Sequence, residues 1–385
     1  MEIILLILIF FLLILGIVEF NIHKNNLSKI PIRIHVNGSR GKSSVVRLIA
    51  SGLRAGGLKT FAKTTGTSPR IIDEHGNDKY IHRLRTASIG EQISLIRHFS
   101  KMKPDALVIE CMAVNPQYQW ISEQKIVKST IGALTNVRPD HLDEMGISME
   151  QITKSMANTI PFNGVMVTSE KKRKNILSDI SNKRNTKFHI ADSKINDKDI
   201  TDFRYLEHKE NISLAIKVCE LCGVDKKVAL KGMSLCKPDP GALTVWEIKN
   251  KDRSFKFINA FAANDPSSTL KTWEMVNDYL HPDKFAIFLN ARVDRQYRTI
   301  QLINLIFNQL KPNTLILRGE NFPKELNILM DKNKKIDVHK FPYSIKQENL
   351  IKFMEQNLNE FVILGIGNIV GWGENLMKKL KEFKV

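Results

Sequence analysis

The sequence predicts an α/β protein, with two successive α/β domains behind one apolar N-terminal helix. Three observations carry this. Short β-rich runs alternate with amphipathic helical stretches along most of the 385 residues. The apolar run Ile3–Val18 stands apart from everything after it. A Pro/Gly cluster, "CKPDPGA" at 236–242, cuts the alternating pattern in two. The expected boundaries are 1–20 for the anchor, 21–238 for the first domain and 239–385 for the second, smaller one.

The first element is sixteen uninterrupted apolar residues bracketed by Glu2 and Glu19. With its flanks it nears the ~17 residues that a helix needs to cross a hydrocarbon core. A cleaved signal peptide would want a basic residue before the run and a small-x-small site after it. The chain instead starts Met1-Glu2 and continues "EFNIHKNNLSK", which favours an uncleaved, single-pass membrane anchor. Lys24, Lys29 and Arg33 follow closely, so the positive-inside tendency puts the remaining domains in the cytoplasm.

Composition narrows the partners. Lys and Arg number 58 against 40 Asp and Glu, a formal charge of +18. Such a chain meets something anionic, or carries a lysine-rich solvated surface. No nucleic-acid recognition motif is present, so no nucleic-acid partner is expected. The four cysteines are too few for a disulfide framework, and "CELC" lies in a helical run with no second pair to complete a zinc set. They are expected in or near the core.

In the first domain, "PIRIHV" reads as a strand and "KSSVVRLIASGLRAGG" as the helix after it, with a glycine stop at Gly56-Gly57. Between them stands "NGSRGKSS". This is shorter than the usual phosphate loop: Gly38 precedes Gly41-Lys42 by three residues, and Val36 holds the place of the usual first glycine. A strand running in and a helix running out still aim backbone N–H groups and the positive helix end at phosphate oxygens. Lys42 would reach the β/γ-phosphates, and the Ser43 hydroxyl would ligate a metal. A plain glycine turn is the alternative. "DALVIE" is a buried strand with Glu110 at its C-terminal end, where parallel sheets bind ligands and a carboxylate can hold a cation. "LTNVRPDHLDEMG" ends a third strand and gathers Asp140, His141 and Asp143 in one loop, which makes His141 a metal or phosphate candidate. "GVMVTS" is a further strand. The second domain offers "FKFINAFA", "KFAIFLNA", "NTLILRG", "KIDVHKF" and "FVILGIGN".

"NGSRGKSS", the strand-end glutamate of "VIECMAVNP" and "NVRPDHLDEMG" together resemble the Mur ligase family, which includes the peptidoglycan amide ligases and folylpolyglutamate synthetase. That family's loop has its first glycine where Gly38 stands. The resemblance implies a P-loop, Mur-ligase-type central domain and a smaller Rossmann-like α/β C-terminal domain. It implies that Gly38, Ser39, Arg40, Gly41, Lys42, Ser43 and Ser44 bind ATP, with Asn211 near the adenine. It makes Ser43 and Glu110 ligands of Mg²⁺ and His141 a ligand of a second ion, Mn²⁺ being an alternative metal. "KPDPGAL" is similar to the family's hinge and "FAANDPSST" to its early C-domain loop. The chain departs from the family in having Ala242 after the hinge glycine and Asn264 for the usual loop histidine.

Longer strings, among them "FAKTTGTSPRII", "ECMAVNPQY", "NARVDRQYR" and "ILGIGNIVGWGENL", resemble the ligase subunits of poly-γ-glutamate capsule synthases. The anchor stands where soluble Mur ligases carry an N-terminal substrate domain. This resemblance implies ATP-driven polymerisation of glutamate through an acyl phosphate, on a growing anionic poly-γ-glutamate chain, with integral-membrane synthase subunits as partners. Lys42, Glu110 and His141 would be the catalytic set. Asn264, Asp265, Arg292, Asp294 and Arg295 are candidates for the substrate and closure face of the second domain. Two other readings fit the same loop: a ligase of this fold acting on another carboxylate, and a membrane-tethered P-loop NTPase driving transport or assembly.

Overall fold

The computed structural model describes residues 2–65, 69–81, 88–196, 199, 203, 205, 207–238, 243–250, 252–261, 263, 265–291, 296–320, 322 and 325–383. The chain divides into two units, Met1–Phe203 with His208–Asp239, and Arg204–Glu207 with Pro240–Val385.

The first unit opens with α1 (Glu2–Ser28). Its apolar stretch is exposed along its length, and the helix is long and apolar enough to cross a membrane. It does not stop at the end of the apolar run but continues for nearly three more turns into the globular part, where Leu27 is buried.

Behind it lies an eight-stranded sheet in the order β4-β3-β2-β5-β1-β6-β7-β8. The strands are β1 (Ile32–Asn37), β2 (Thr60–Thr64), β3 (Arg70–Ile72), β4 (Asp78–Tyr80), β5 (Ala106–Glu110), β6 (Ile131–Leu134), β7 (Val165–Thr168) and β8 (Lys187–Ile190). All pairings are parallel except the β2-β3-β4 edge, which is antiparallel. The central strands are buried on both faces, which explains their unbroken apolar runs. β5 shows the period of two: Ala106 and Val108 join one core cluster, Leu107 and Ile109 the other.

On the first face pack α2 (Lys42–Ala55), α8 (Lys209–Leu221) and α9 (Lys226–Ser234). Val45, Leu48, Ile49 and Leu53 form the buried stripe of α2, against Ile212, Val218 and Met233. Full burial of each such aliphatic side chain contributes about 1.5–3 kcal/mol, so this stripe fixes α2 firmly beneath the sheet's edge loops. The second face carries α3 (Glu91–Ser100), α4 (Pro116–Ile121) with the π-helical turn Ser122–Val127, α5 (Leu142–Met145), α6 (Met149–Met156) and α7 (Lys174–Lys183).

The second unit holds a six-stranded sheet, β13-β12-β11-β14-β10-β9. β9 (Thr244–Asn250) pairs antiparallel with β10 (Arg253–Asn259). β11 (Phe285–Asn290), β12 (Thr314–Arg318), β13 (Asp337–Phe341) and β14 (Val362–Gly367) complete a parallel set with β10. One face is covered by α10 (Pro266–Leu280), α11 (Gln296–Leu305) and α12 (Glu325–Lys332), the other by α13 (Gln347–Asn357) and α14 (Trp372–Glu382). Adjacent β11 and β14 therefore feed helices on opposite faces, which makes their C-terminal ends a topological switch point.

Candidate active site

Four parallel strands, β2, β5, β1 and β6, end side by side. Register sets Val36 beside Glu110 and Asn37 beside Leu134. The loops after these strands build the site from residues far apart in sequence.

The loop after β1 is shaped by two glycines. Gly38 has φ 135° and Gly41 φ 81°, both in the left-handed half of conformational space that glycine enters without strain. Space also requires them. A Cβ on Gly38 would stand 2.0 Å from the Thr135 Oγ1, and one on Gly41 would stand 2.9 Å from the Asn211 side-chain amide. Gly41 precedes α2, which has no side-chain N-cap and no acid in its first turn, so its positive end is left for an anion. Ser44 is half-buried in that first turn.

The loop after β6 straps the first. Thr135 Oγ1 donates to the Arg40 carbonyl at 2.7 Å. Asn136 Nδ2 donates to the same carbonyl at 3.0 Å, and its Oδ1 accepts from Arg40 N at 3.2 Å. Ser39 N donates to Asn136 O at 3.0 Å, and the Ser39 hydroxyl exchanges bonds with the main chain of Arg138. Lys42 Nζ bonds the Gly38 carbonyl at 2.7 Å across the loop. The Arg40 guanidinium reaches Asp140 at 3.2 Å.

Ser43 and Glu110 meet. Ser43 Oγ donates to Glu110 Oε2 at 2.9 Å, and Thr65 N, just past β2, donates to the same oxygen at 2.7 Å. Glu110 is buried, so these bonds fix its carboxylate. Two hard oxygen donors in contact fit a Mg²⁺ or Mn²⁺ ion, which takes few protein ligands and fills its sphere with phosphate and water. Among the described residues, no group of three or more His, Cys, Asp or Glu side chains is arranged to hold a metal.

The other expected residues fall as follows. Asn211 is buried at the start of α8, against Gly41. His141 lies on the same loop system at φ 44°, half-exposed, with Asp140 as its charged partner at 3.9 Å. It is not brought against Ser43 or Glu110. In the second unit, Asp265 caps α10, its Oδ1 accepting from Ser268 N at 2.9 Å. Asn264, Arg292, Asp294 and Arg295, and the hinge residues Gly241 and Ala242, lie outside the described residues. The cysteines are free, with Cys111, Cys219 and Cys236 buried. Sequence reasoning missed Thr65, Thr135 and Asn136. The signal was available: polar residues at strand ends, where a purely structural strand would close on apolar ones.

Beneath the loop, β1 carries a buried ion pair. His35 Nδ1 stands 2.8 Å from Glu123 Oε2, and Ser129 donates twice to the other oxygen. Burial alone would lower the His35 pKa, but Cys111 and Glu123 outweigh it and raise it to about 9. The pair ties the strand that ends in the phosphate loop to the π-helical turn Ser122–Val127.

Strand, glycine loop, helix and strand-end carboxylate define the class: an ATP-binding α/β ligase of the Mur type. Residues 36–233 match the Mur ligase middle domain, and residues 245–383 match the poly-gamma-glutamate synthase CapB C-terminal domain. The chain is 37% identical over 384 residues to PGA synthase CapB of Bacillus subtilis strain 168, covering 97% of this chain and 96% of that one. It is 35% identical over 385 residues to the capsule biosynthesis protein CapB of Bacillus anthracis, covering 97% and 82%. A bifunctional folylpolyglutamate synthase/dihydrofolate synthase from Yersinia pestis, solved with AMPPNP and a Mn ion, shares the fold at a TM-score of 0.68 and 13% identity, covering 94% of this chain and 92% of that one. The chain belongs to the Mur ligase family, in its poly-γ-glutamate synthase branch.

Proposed function

We propose that this chain is the ATP-dependent ligase that builds poly-γ-glutamate for a capsule, adding glutamate through an acyl-phosphate intermediate. The observation that carries the reading is the contact between Ser43 and Glu110 at the mouth of a glycine loop strapped by Thr135 and Asn136. The full-length likeness to poly-γ-glutamate synthases supports the substrate.

Joining a carboxylate to an amine is uphill in water, and ATP supplies the activation. Phosphoryl transfer asks alignment and charge neutralisation of the protein rather than covalent help. The N–H groups of residues 41–44, at the uncapped start of α2, would cradle phosphate oxygens, while those of Ser39 and Arg40 stay tied to Asn136. Lys42 exchanges the Gly38 carbonyl for a phosphate and neutralises charge there. Ser43 and Glu110 would hold the divalent ion, Mg²⁺ in the cell, which offsets charge on the transferring group. Asn211 lies behind the loop on the adenine side, and His141 is the candidate for a second ion.

The second unit would bring the incoming amino acid, with Asn264, Asp265, Arg292, Asp294 and Arg295 as the candidates to contact it. Basic residues suit a polymer with one negative charge per unit and give the +18 a use. α1 anchors the chain in the membrane with both units on the cytoplasmic side, where ATP is available, and integral-membrane subunits take over the polymer.

The test is phosphate release from ATP by purified membranes carrying the full chain, with product analysis. Release that requires glutamate and yields γ-linked polymer supports the ligase. Release indifferent to any amino acid would replace it with a membrane NTPase.

A further inference from the structure

α1 changes surroundings without changing secondary structure. Ile3 to Val18 are bare, yet Asn26 and Leu27 of the same helix are buried. His23 Nε2 donates to the Ile126 carbonyl at 2.8 Å, and Ser100 Oγ donates to Asn26 Oδ1 at 3.0 Å. Leu27 and Ile30 share a core cluster with Phe99, Leu107, Ile126 and Val127. The chain then enters β1 at Ile32 after only three residues, of which Ile30 is buried.

This fixes a height. Val18 ends the apolar run and His23 is already docked, five residues on. At about 1.5 Å per residue that is about 7 Å, close to the thickness of one headgroup layer. The protein surface around residues 19–24 therefore lies near headgroup depth when α1 spans a bilayer, and the tilt of α1 decides whether the flanking face at residues 120–128 meets the headgroups.

That surface has a matching chemistry. Lys128 Nζ lies 5.7 Å from the centre of the Phe20 ring. Lys125 Nζ lies 5.3 Å from the centre of the Trp120 ring, and Trp120 is 37% exposed. Lys24 is on α1 itself and exposed. Arg97 is matched by Glu19 at 3.6 Å, but among the described residues Lys24, Lys125 and Lys128 have no carboxylate partner. A tryptophan ring with adjacent lysines is the combination that membrane–water interfaces favour.

We infer that the face formed by Lys24, Trp120, Lys125 and Lys128 docks on anionic phospholipid headgroups of the leaflet that α1 enters. The inference rests on the anchoring reading above. Lysines near an anionic leaflet each strengthen attachment several-fold, and screening by salt weakens it.

The experiment uses the full chain in lipid nanodiscs containing dansyl-labelled phosphatidylethanolamine, with and without phosphatidylglycerol. Energy transfer from tryptophan to the label is read, and the difference from Trp120→Phe isolates Trp120. Transfer is expected to be strong in phosphatidylglycerol discs and weak in pure phosphatidylcholine or high salt. In Lys125→Glu/Lys128→Glu the docked-to-undocked ratio is expected to fall about tenfold or more. Both lysines are exposed, and the salt series needs no variant. A chain released from membranes by alkaline carbonate would remove the anchor and this inference with it. A chain that stays, with transfer indifferent to lipid charge, salt and the double variant, overturns the inference alone and leaves a protein partner as the cover for this face.

Discussion

Ser43 Oγ and the Thr65 backbone N–H converge on one oxygen of Glu110, at 2.9 and 2.7 Å. Three loops, after β1, β2 and β5, are thereby locked to a single carboxylate. Replacing that carboxylate by an amide keeps an acceptor for Thr65 N but lowers the charge on a bound cation. For Glu110→Gln we expect a folded protein whose metal requirement rises about 10- to 100-fold, read from activity against divalent-ion concentration. An unchanged titration would take Glu110 out of the metal site.

Lys42 is half-buried and, among the described residues, its side chain bonds only within its own loop, so its removal leaves the core intact. Lys42→Ala should lose about 10²–10³-fold or more in glutamate-dependent phosphate release while thermal stability stays close to that of the wild type. Comparable loss of both would mean that the lysine supports the fold rather than the chemistry.

Gly38 has two reasons to be glycine, its positive φ and the Thr135 hydroxyl in the way of a Cβ. Gly38→Ala should cost about 1–3 kcal/mol of stability and abolish binding of a fluorescent ATP analogue. Adding Thr135→Ala removes the hydroxyl but not the backbone strain or the Thr135 N at 3.1 Å. The double variant should therefore remain unable to bind; recovered binding would show that the clash with the hydroxyl alone mattered.

The His35–Glu123 pair predicts a pH effect on stability. The folded pKa of His35 is about 9, above its ordinary 6.5. Its stabilisation is therefore complete below about pH 6.5 and is lost as pH rises through about 9, on the order of 3 kcal/mol across that window. Unfolding midpoints of the wild type should fall over this range relative to those of His35→Asn. Parallel curves for the two proteins would mean that His35 does not titrate there.

Much of the fold is legible in the chain because fully buried parallel strands leave plain apolar runs. β1, β5, β6 and β7, and the second unit's β10, β11, β12 and β14, are visible this way, whereas the edge strand β13 shows through its alternation instead. β2 is not, because "TFAKT" hides Lys63, fully buried but paired with Glu91 at 3.1 Å. β9 and the β3–β4 hairpin are short or antiparallel edge strands with mixed polarity, which periodicity does not separate from loops. The phosphate loop is legible from Gly38, Gly41, Lys42 and Ser43 because its backbone demands are local. The strap from Thr135 and Asn136 is not, because it depends on a neighbour some 95 residues distant in the chain. Helix α1 outruns its apolar segment because its last turns are held by tertiary packing, which hydropathy does not register.

The seating of Leu27 and Asn26 has a practical edge for anyone trimming the protein to obtain a water-soluble form. Cutting at Ser28, where the helix ends, would pull a plug from the core and remove the α1 partners of Ser100 and Ile126. Cutting just before Ile22 would discard the greasy segment and spare the plug. The two shortened chains, differing by only two helical turns, should separate cleanly into one that precipitates and one that behaves.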